Sequence, residues 1–258
     1  MNKIIFASLL LLLSNCVFSQ YEIQYDYFIK NFGTESSSGI VLKTYLYTDG
    51  INSKFVKNRV INGSTENKVL NSDEELLELI RSRLKPTEGD SIGQLVIKNN
   101  YNDSISLRVQ NTSKKYIRIL ELNKLEIESL DDYKIIENFN CQKAIIKNEY
   151  RTFEVWFTSE IDINDGPWKL NGVPGLILHA ISVDKTHEFK VTSIKKTAPF
   201  DRDFFNYPFY EEIEKEDYVK DYIESNEKEF KYRKSKAEDG SNLKLTLNNL
   251  EIPLTNFE

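Results

Sequence analysis

The sequence predicts a mostly β fold with minor α content: a curved antiparallel sheet, open or half-barrel-like, with two helices. Apolar and polar residues alternate with a period of two along most of the chain, short turn-rich gaps separate the alternating runs, and only two stretches carry the 3.6-residue spacing of a helix. Short gaps favour antiparallel neighbours, because a parallel crossover needs a dozen residues or more.

The alternation is plainest where Tyr21, Ile23, Tyr25, Tyr27 and Ile29 interleave with Glu22, Gln24, Asp26 and Lys30, the pattern of a half-buried strand. Similar runs follow at 40–48, 54–61, 94–98, 104–109, 116–122, 133–139, 143–147 and 153–158. Residues 176–183 and 188–194 read as a hairpin around Asp184, Lys185, Thr186 and His187; pairing Val183 with Glu188 places His179 opposite Thr192. The first helix is predicted from Ser72, where Ser-x-x-Glu forms a capping box ahead of Leu76, Leu77, Ile80 and Leu84, with Pro86 just past its end. The second spans about 210–234, with Ile213, Val219, Tyr222, Ile223 and Phe230 as a narrow apolar stripe. Before it, residues 197–208 hold Pro199, Pro208, Phe200, Phe204, Phe205 and Tyr207, an irregular aromatic crossing loop. Leu243, Leu245 and Leu247 return the chain to a strand.

The first nineteen residues run from Lys3 through the apolar stretch 4–13 to Val17, Phe18 and Ser19, the pattern of a signal peptide cut before Gln20. The expected organisation is a signal peptide at 1–19 and one β-rich domain at 20–258. The apolar run is shorter than the ~20 residues a membrane span needs. Cys16 opens a second reading, a lipoprotein anchor, which Asn15 before it fits poorly. Loss of the leader leaves Cys141 alone, so stability rests on the core rather than on a disulfide. Export to the periplasm, the cell envelope or the exterior is the expected location.

The chain carries 34 Lys and Arg against 40 Asp and Glu, a net charge of −6. That balance argues against nucleic acid as a partner, whose affinity rests on clustered cations that neutralise phosphates. The one basic cluster, residues 231–236, follows an acidic helical stretch and reads as a solvated helix end.

Residues 156–178 are the most informative stretch, because the loop within them holds Gly166, Gly172 and Gly175 of ten glycines, and Pro167 and Pro174 of six prolines. Pro174-Gly175 suits a type II turn, in which the third position needs positive φ. The hexapeptide Gly172-Val173-Pro174-Gly175-Leu176-Ile177 resembles the one that names the GLPGLI family of exported bacterial proteins, with Val173 in place of leucine. Cys141-Gln142-Lys143-Ala144, Trp156-Phe157-Thr158, Glu160-Ile161, Gly166-Pro167 and Asn248-Asn249-Leu250-Glu251 are similar to that family's pattern as well. The resemblance implies export and a curved antiparallel sheet, and brings with it no activity, cofactor or catalytic residue.

Candidate chemistry is sparse. The mature chain offers Cys141, His179 and His187, and none has the short ligand spacing of a zinc site, so no metal or cofactor is predicted. Cys141 reads as a small buried hydrophobe. Leu176 and Leu178 are expected to point inward, with Ile177 and His179 on the other face. Trp156, between Val155 and Phe157, reads as core rather than the lining of an apolar ligand pocket, while Trp168 in the Gly/Pro loop suits core or pocket lining equally. The expected function is non-catalytic binding of an apolar ligand or an outer-membrane partner, through Trp168, Gly166, Pro167, Gly172, Pro174 and Gly175. The alternatives are a secreted hydrolase using Cys141, His179 or the loop carboxylates Glu160, Asp162 and Asp165, and an interaction subunit without a small-molecule ligand.

Overall fold

The computed structural model describes residues 20–30, 39–57, 60–61, 64–65, 67–70, 93–113, 115–201, 203–206, 211–236, 245–247, 249–253 and 255–257. The strands are β1 (Gln20–Lys30), β2 (Gly39–Thr48), β3 (Asn52–Val56), β4 (Val60–Ile61), β5 (Ser64–Thr65), β6 (Asn67–Leu70), β7 (Leu95–Asn99), β8 (Ser104–Gln110), β9 (Tyr116–Leu122), β10 (Glu126–Ile136), β11 (Phe139–Lys147), β12 (Thr152–Thr158), β13 (Leu176–Ser182), β14 (His187–Thr197), β15 (Leu245–Leu247) and β16 (Thr255–Phe257). Helix α1 spans Lys215–Lys236. The helix expected from Ser72, the leader, Tyr207, Pro208 and Leu243 lie outside the described residues.

One twelve-stranded sheet dominates, in the order β10-β11-β12-β13-β14-β1-β2-β3-β7-β8-β9, with β6 paired to β2 beside this path. Every pairing in it is antiparallel. Strands β9 and β10 stand at opposite ends of the order, yet only residues 123–125 join them. That link spans roughly 14 Å at most, whereas a flat sheet of eleven strands is close to 50 Å wide. The sheet therefore curls until its two edges approach each other, leaving an unpaired seam between β9 and β10.

The inner face of this half-barrel forms the core. Phe55, Val96, Leu107 and Ile119 face inward in register across β3, β7, β8 and β9, as do Ile146 and Phe153 across β11 and β12. The interior is filled by the loop between β12 and β13, by Tyr218 of α1, and by Leu247, Leu250 and Ile252 of the C-terminal segment. On the outer face, Phe200 and Phe204 stack at 4.4 Å and meet Tyr47 edge-on, so the aromatic crossing loop packs against β2. Lys54 is held there, its Nζ 3.3 Å from the Phe204 ring centroid and donating to the Phe204 carbonyl. Burial lowers its pKa to about 8.

Three local expectations are corrected. The run 133–139 is not one strand: β10 begins at Glu126 and turns into β11 at Glu137 and Asn138, both at positive φ, a two-residue hairpin turn without the usual glycine. In the β13–β14 hairpin His179 pairs with Lys190 rather than Thr192, and Val183 leaves that ladder to bond the Thr152 carbonyl. Ser182 and Asp184 fix the turn through hydrogen bonds to the amides of Thr186 and His187, with Lys185 at positive φ. Finally, Ile177 faces inward opposite Phe157, as Ala180 does opposite Val155. The extra residue of a bulge, Leu178, lies between them, and one inserted residue inverts the alternation.

Candidate functional site

The Gly/Pro loop grows out of β12 in an alternating pattern, Ile161, Ile163 and Asp165 buried, Asp162 and Asn164 exposed. Two tight turns shape it, with the Ile163 amide bonding the Ile161 carbonyl and the Asp165 amide bonding the Ile163 carbonyl. The backbone then folds over Lys98 of β7, which is 1% exposed. Lys98 forms an ion pair with Asp165 and donates to the carbonyls of Gly166 and Leu170. Burial lowers the Lys98 pKa and the Asp165 carboxylate opposes that shift. Two glycines are sterically obligatory: a Cβ on Gly166 would sit 2.8 Å from Ile177, and one on Gly175, at φ +148°, would land on the Thr158 carbonyl.

The six residues expected to form a binding surface are thus placed mostly inside. Gly166, Pro167, Trp168 and Gly175 are buried, and Gly172 and Pro174 are exposed. Trp168 is only 3% exposed and adopts φ +54°, with its ring against Phe153 and its indole N–H donating to Glu251 Oε1 at 2.6 Å. Trp156, in contrast, is half-buried on the outer face, opposite His179 and beneath Lys134, whose Nζ lies 4.1 Å from the ring centroid.

The candidate catalytic groups do not converge. Cys141 is fully buried opposite Lys134, and burial pushes its thiol pKa up. His179 sits opposite Trp156 and Lys190, bonded to Glu188 at 2.9 Å, with burial lowering its pKa. His187 is buried against the Tyr27 hydroxyl, and Asp165 is committed to Lys98. Among the described residues no three His, Cys, Asp or Glu side chains group to hold a metal.

What the loop does build is the floor of a groove at the seam, of about 680 Å³. Leu120, Glu121 and Leu122 form one wall, Lys147, Asn148, Glu149 and Tyr150 the other, Trp168 and Lys169 the floor, and Lys215 at the start of α1 one end. A chain of alternating charges runs along it, from Lys169 to Glu121, Glu121 to Lys215 at 2.8 Å, and Lys215 to Glu149 at 2.5 Å, and Lys169 also pairs with Glu251, which lies off the groove. Burial works against the charge on Lys215, but hydrogen bonds to Glu121 and Glu149 outweigh it and raise its pKa. Partial burial likewise opposes the charge on Glu149, and Lys215 and Tyr150 overcome it and lower its pKa. Burial and the neighbouring Glu149 push the Tyr150 hydroxyl up to about 12. Asn123 donates to the Lys169 carbonyl and to Asn171, which ties the floor to the link between β9 and β10.

A second, partly open cavity between the sheet and α1 is lined by Tyr27, Phe55, Leu107, Trp168 and Tyr218, with Arg108 and Glu251 among its polar groups, and measures about 30 Å³. That volume suits one water molecule. Sequence reasoning did not single out Glu121, Lys169, Lys215 or Glu149, because they come from four separate elements and share no motif.

No helix among the described residues is long and apolar enough to cross a membrane. No curated protein sequence matches the chain. Among solved structures, 90% of the chain is similar to PNGF-II in a C2 crystal form, with 16% identity and a TM-score of 0.50, and it covers 35% of that chain. A P21 crystal form of PNGF-II gives 15% identity, a TM-score of 0.46 and the same coverage. A domain described as an outer membrane lipoprotein-sorting protein, from Vibrio parahaemolyticus, is 9% identical over 73% of this chain and 90% of its own, with a TM-score of 0.32. The first of these likenesses bears on the fold alone. The chain spans about a third of the length of the PNGF-II structures it matches. The family model described as "N-glycanase peptide, N-terminal domain" matches residues 53–205, more than half of the chain, and the chain belongs to that family.

Proposed function

We propose that this domain is a non-catalytic binding module working outside the cytoplasm, and that the seam groove holds a polar, glycan-bearing ligand. The observation that carries the reading is the alternating row of Lys169, Glu121, Lys215 and Glu149 along an open groove, with buried Glu251 holding Lys169 from beneath. Charged groups fixed by one another present acceptors and donors at set positions, which suits a ligand rich in hydroxyls and amides. The family's name links it to an N-glycanase, which supports a glycan as part of the ligand.

The leader-like residues 1–19 and the resemblance of residues 172–177 to the GLPGLI hexapeptide support an exported setting. A buried Cys141 with a raised pKa, remote in register from His179, supports binding over hydrolysis. Calorimetric titration with an N-glycosylated peptide tests the proposal. Micromolar binding is expected, weakened about tenfold by Glu121→Gln in a variant that keeps the wild-type melting temperature. Absence of binding, or unchanged affinity in that variant, refutes it.

A further inference from the structure

The outer edge of β9 already carries one short added segment, residues 211–213, paired through a single bridge. The Arg118 amide donates to the Glu211 carbonyl at 2.9 Å, the Ile213 amide donates to the Arg118 carbonyl at 3.0 Å, and Arg118 and Glu212 form a parallel bridge. The amide and carbonyl of a strand residue point to the same side, and the side alternates along the chain. Since Arg118 points both groups outward, Leu120 and Leu122 point theirs outward too. Asn123, of opposite parity, confirms the phase by donating inward to the Asp103 carbonyl. Past residue 213 the chain turns away into α1, and among the described residues nothing continues the ladder along Leu120 and Leu122.

That open stretch is the wall of the seam groove, and its two faces differ. Leu120 and Leu122 present side chains that are 46% and 63% exposed on the outer face. Glu121 between them faces inward, to Lys169 and Lys215. From Arg118 to Leu122 the edge runs roughly 13 Å, enough to pair three or four residues of an added strand.

Resting on the reading of the groove as a ligand site, we infer that it takes the polypeptide part of its ligand as an extended strand added to the β9 edge. This peptide alternates apolar residues, which cover Leu120 and Leu122, with charged or amide residues, which meet Glu121, Lys169 and Lys215. Its backbone continues the ladder that residues 211–213 begin. The inference follows from continuity with that bridged segment, from the outward amides and from the two-faced lining.

The test uses the full chain and an unglycosylated, phage-displayed dodecapeptide library. Enriched peptides are expected to alternate apolar and polar residues, and to lose at least tenfold in affinity when backbone amides are N-methylated at every second position, with the intervening positions tolerant. Leu120→Pro removes one outward amide without touching the β8–β9 bonds and should weaken the same peptides about tenfold, whereas Leu120→Ala, which keeps the amide, should cost less. The N-methyl scan on the wild-type chain decides the matter even if the proline variant folds poorly. No enrichment, or an N-methyl scan without a period of two, overturns the inference. So does a concentration-dependent dimer that Leu120→Pro abolishes, because the edge would then belong to a second copy. If a free N-glycan binds as tightly as the glycosylated peptide and Glu121→Gln weakens both, the groove reading stands and the strand inference alone fails.

Discussion

A tryptophan at positive φ is strained, and at Trp168 the surroundings hold it there: the indole is hydrogen-bonded to Glu251, and the carbonyls of Gly166 before it and Lys169 after it are tied down by Lys98 and Asn123. The neighbouring Gly175 shows the same logic in steric form. A valine there would meet the Thr158 carbonyl at a φ that β-branched residues avoid, so Gly175→Val should lose on the order of 1–3 kcal/mol from strain alone, with the clash adding to it. A thermal or urea unfolding curve measures this, and wild-type stability would contradict the structural role. Cys141 makes a second residue-scale case. Buried and with a raised pKa, it should react with a thiol reagent far more slowly in the folded chain than in urea; equal rates would mean that the strand is open. The positive φ of Gly175 was legible from Pro-Gly chemistry in the sequence, although the turn is a γ-turn about Pro174, with the Gly175 amide bonding the Val173 carbonyl, rather than the expected type II turn. The positive φ of Trp168 was not, since it arises from contacts to β7, to the link between β9 and β10 and to the C-terminal segment, far away in the chain.

Among elements, the strands were read well where one face is wet and the other dry, as in β1 and β9, because burial then imposes a period of two. Reading failed where that contrast is missing. Strand β10 is exposed along most of its length, so its start at Glu126 left no apolar trace, and its turn uses Glu137 and Asn138 where a glycine would have announced it. Asn138→Gly should accordingly stabilise the protein by several tenths of a kcal/mol, because glycine adopts positive φ without a Cβ penalty. A rise in the urea midpoint at constant slope is the expected readout. The crossing loop offers a pH test. Lys54 titrates near 8 when folded and near its ordinary value when unfolded, so between those values the unfolded chain holds more protons and this residue's contribution to stability rises with pH. The stability difference between wild type and Lys54→Met should shift in favour of wild type from pH 8 to pH 10, and a flat difference would show that the aromatic clamp does not desolvate the amine.

For the whole molecule, the decisive feature is that a sheet with two free edges surrounds a loop instead of a second sheet. The groove exists because that loop fills the interior without closing the seam, so its residues come together only through the curl of the sheet, which no local pattern encodes. Lys98 is the point at which sheet and loop are joined, for it links β7 to Asp165, Gly166 and Leu170 within a core that admits little water. Lys98→Met should therefore cost about 3–5 kcal/mol, since it leaves the Asp165 carboxylate buried without its cation and two carbonyls without a donor. Adding Asp165→Leu to that variant removes the unpaired charge, and the double variant should regain part of the loss. The coupling should also be spatial: in hydrogen exchange, amides of residues 163–177 and of β7 should lose protection together in Lys98→Met, while the β10–β11 hairpin keeps its own. Independent loss in the loop alone would mean that the half-barrel stands without its plug, and the groove floor would then be an ordinary surface loop rather than part of the core.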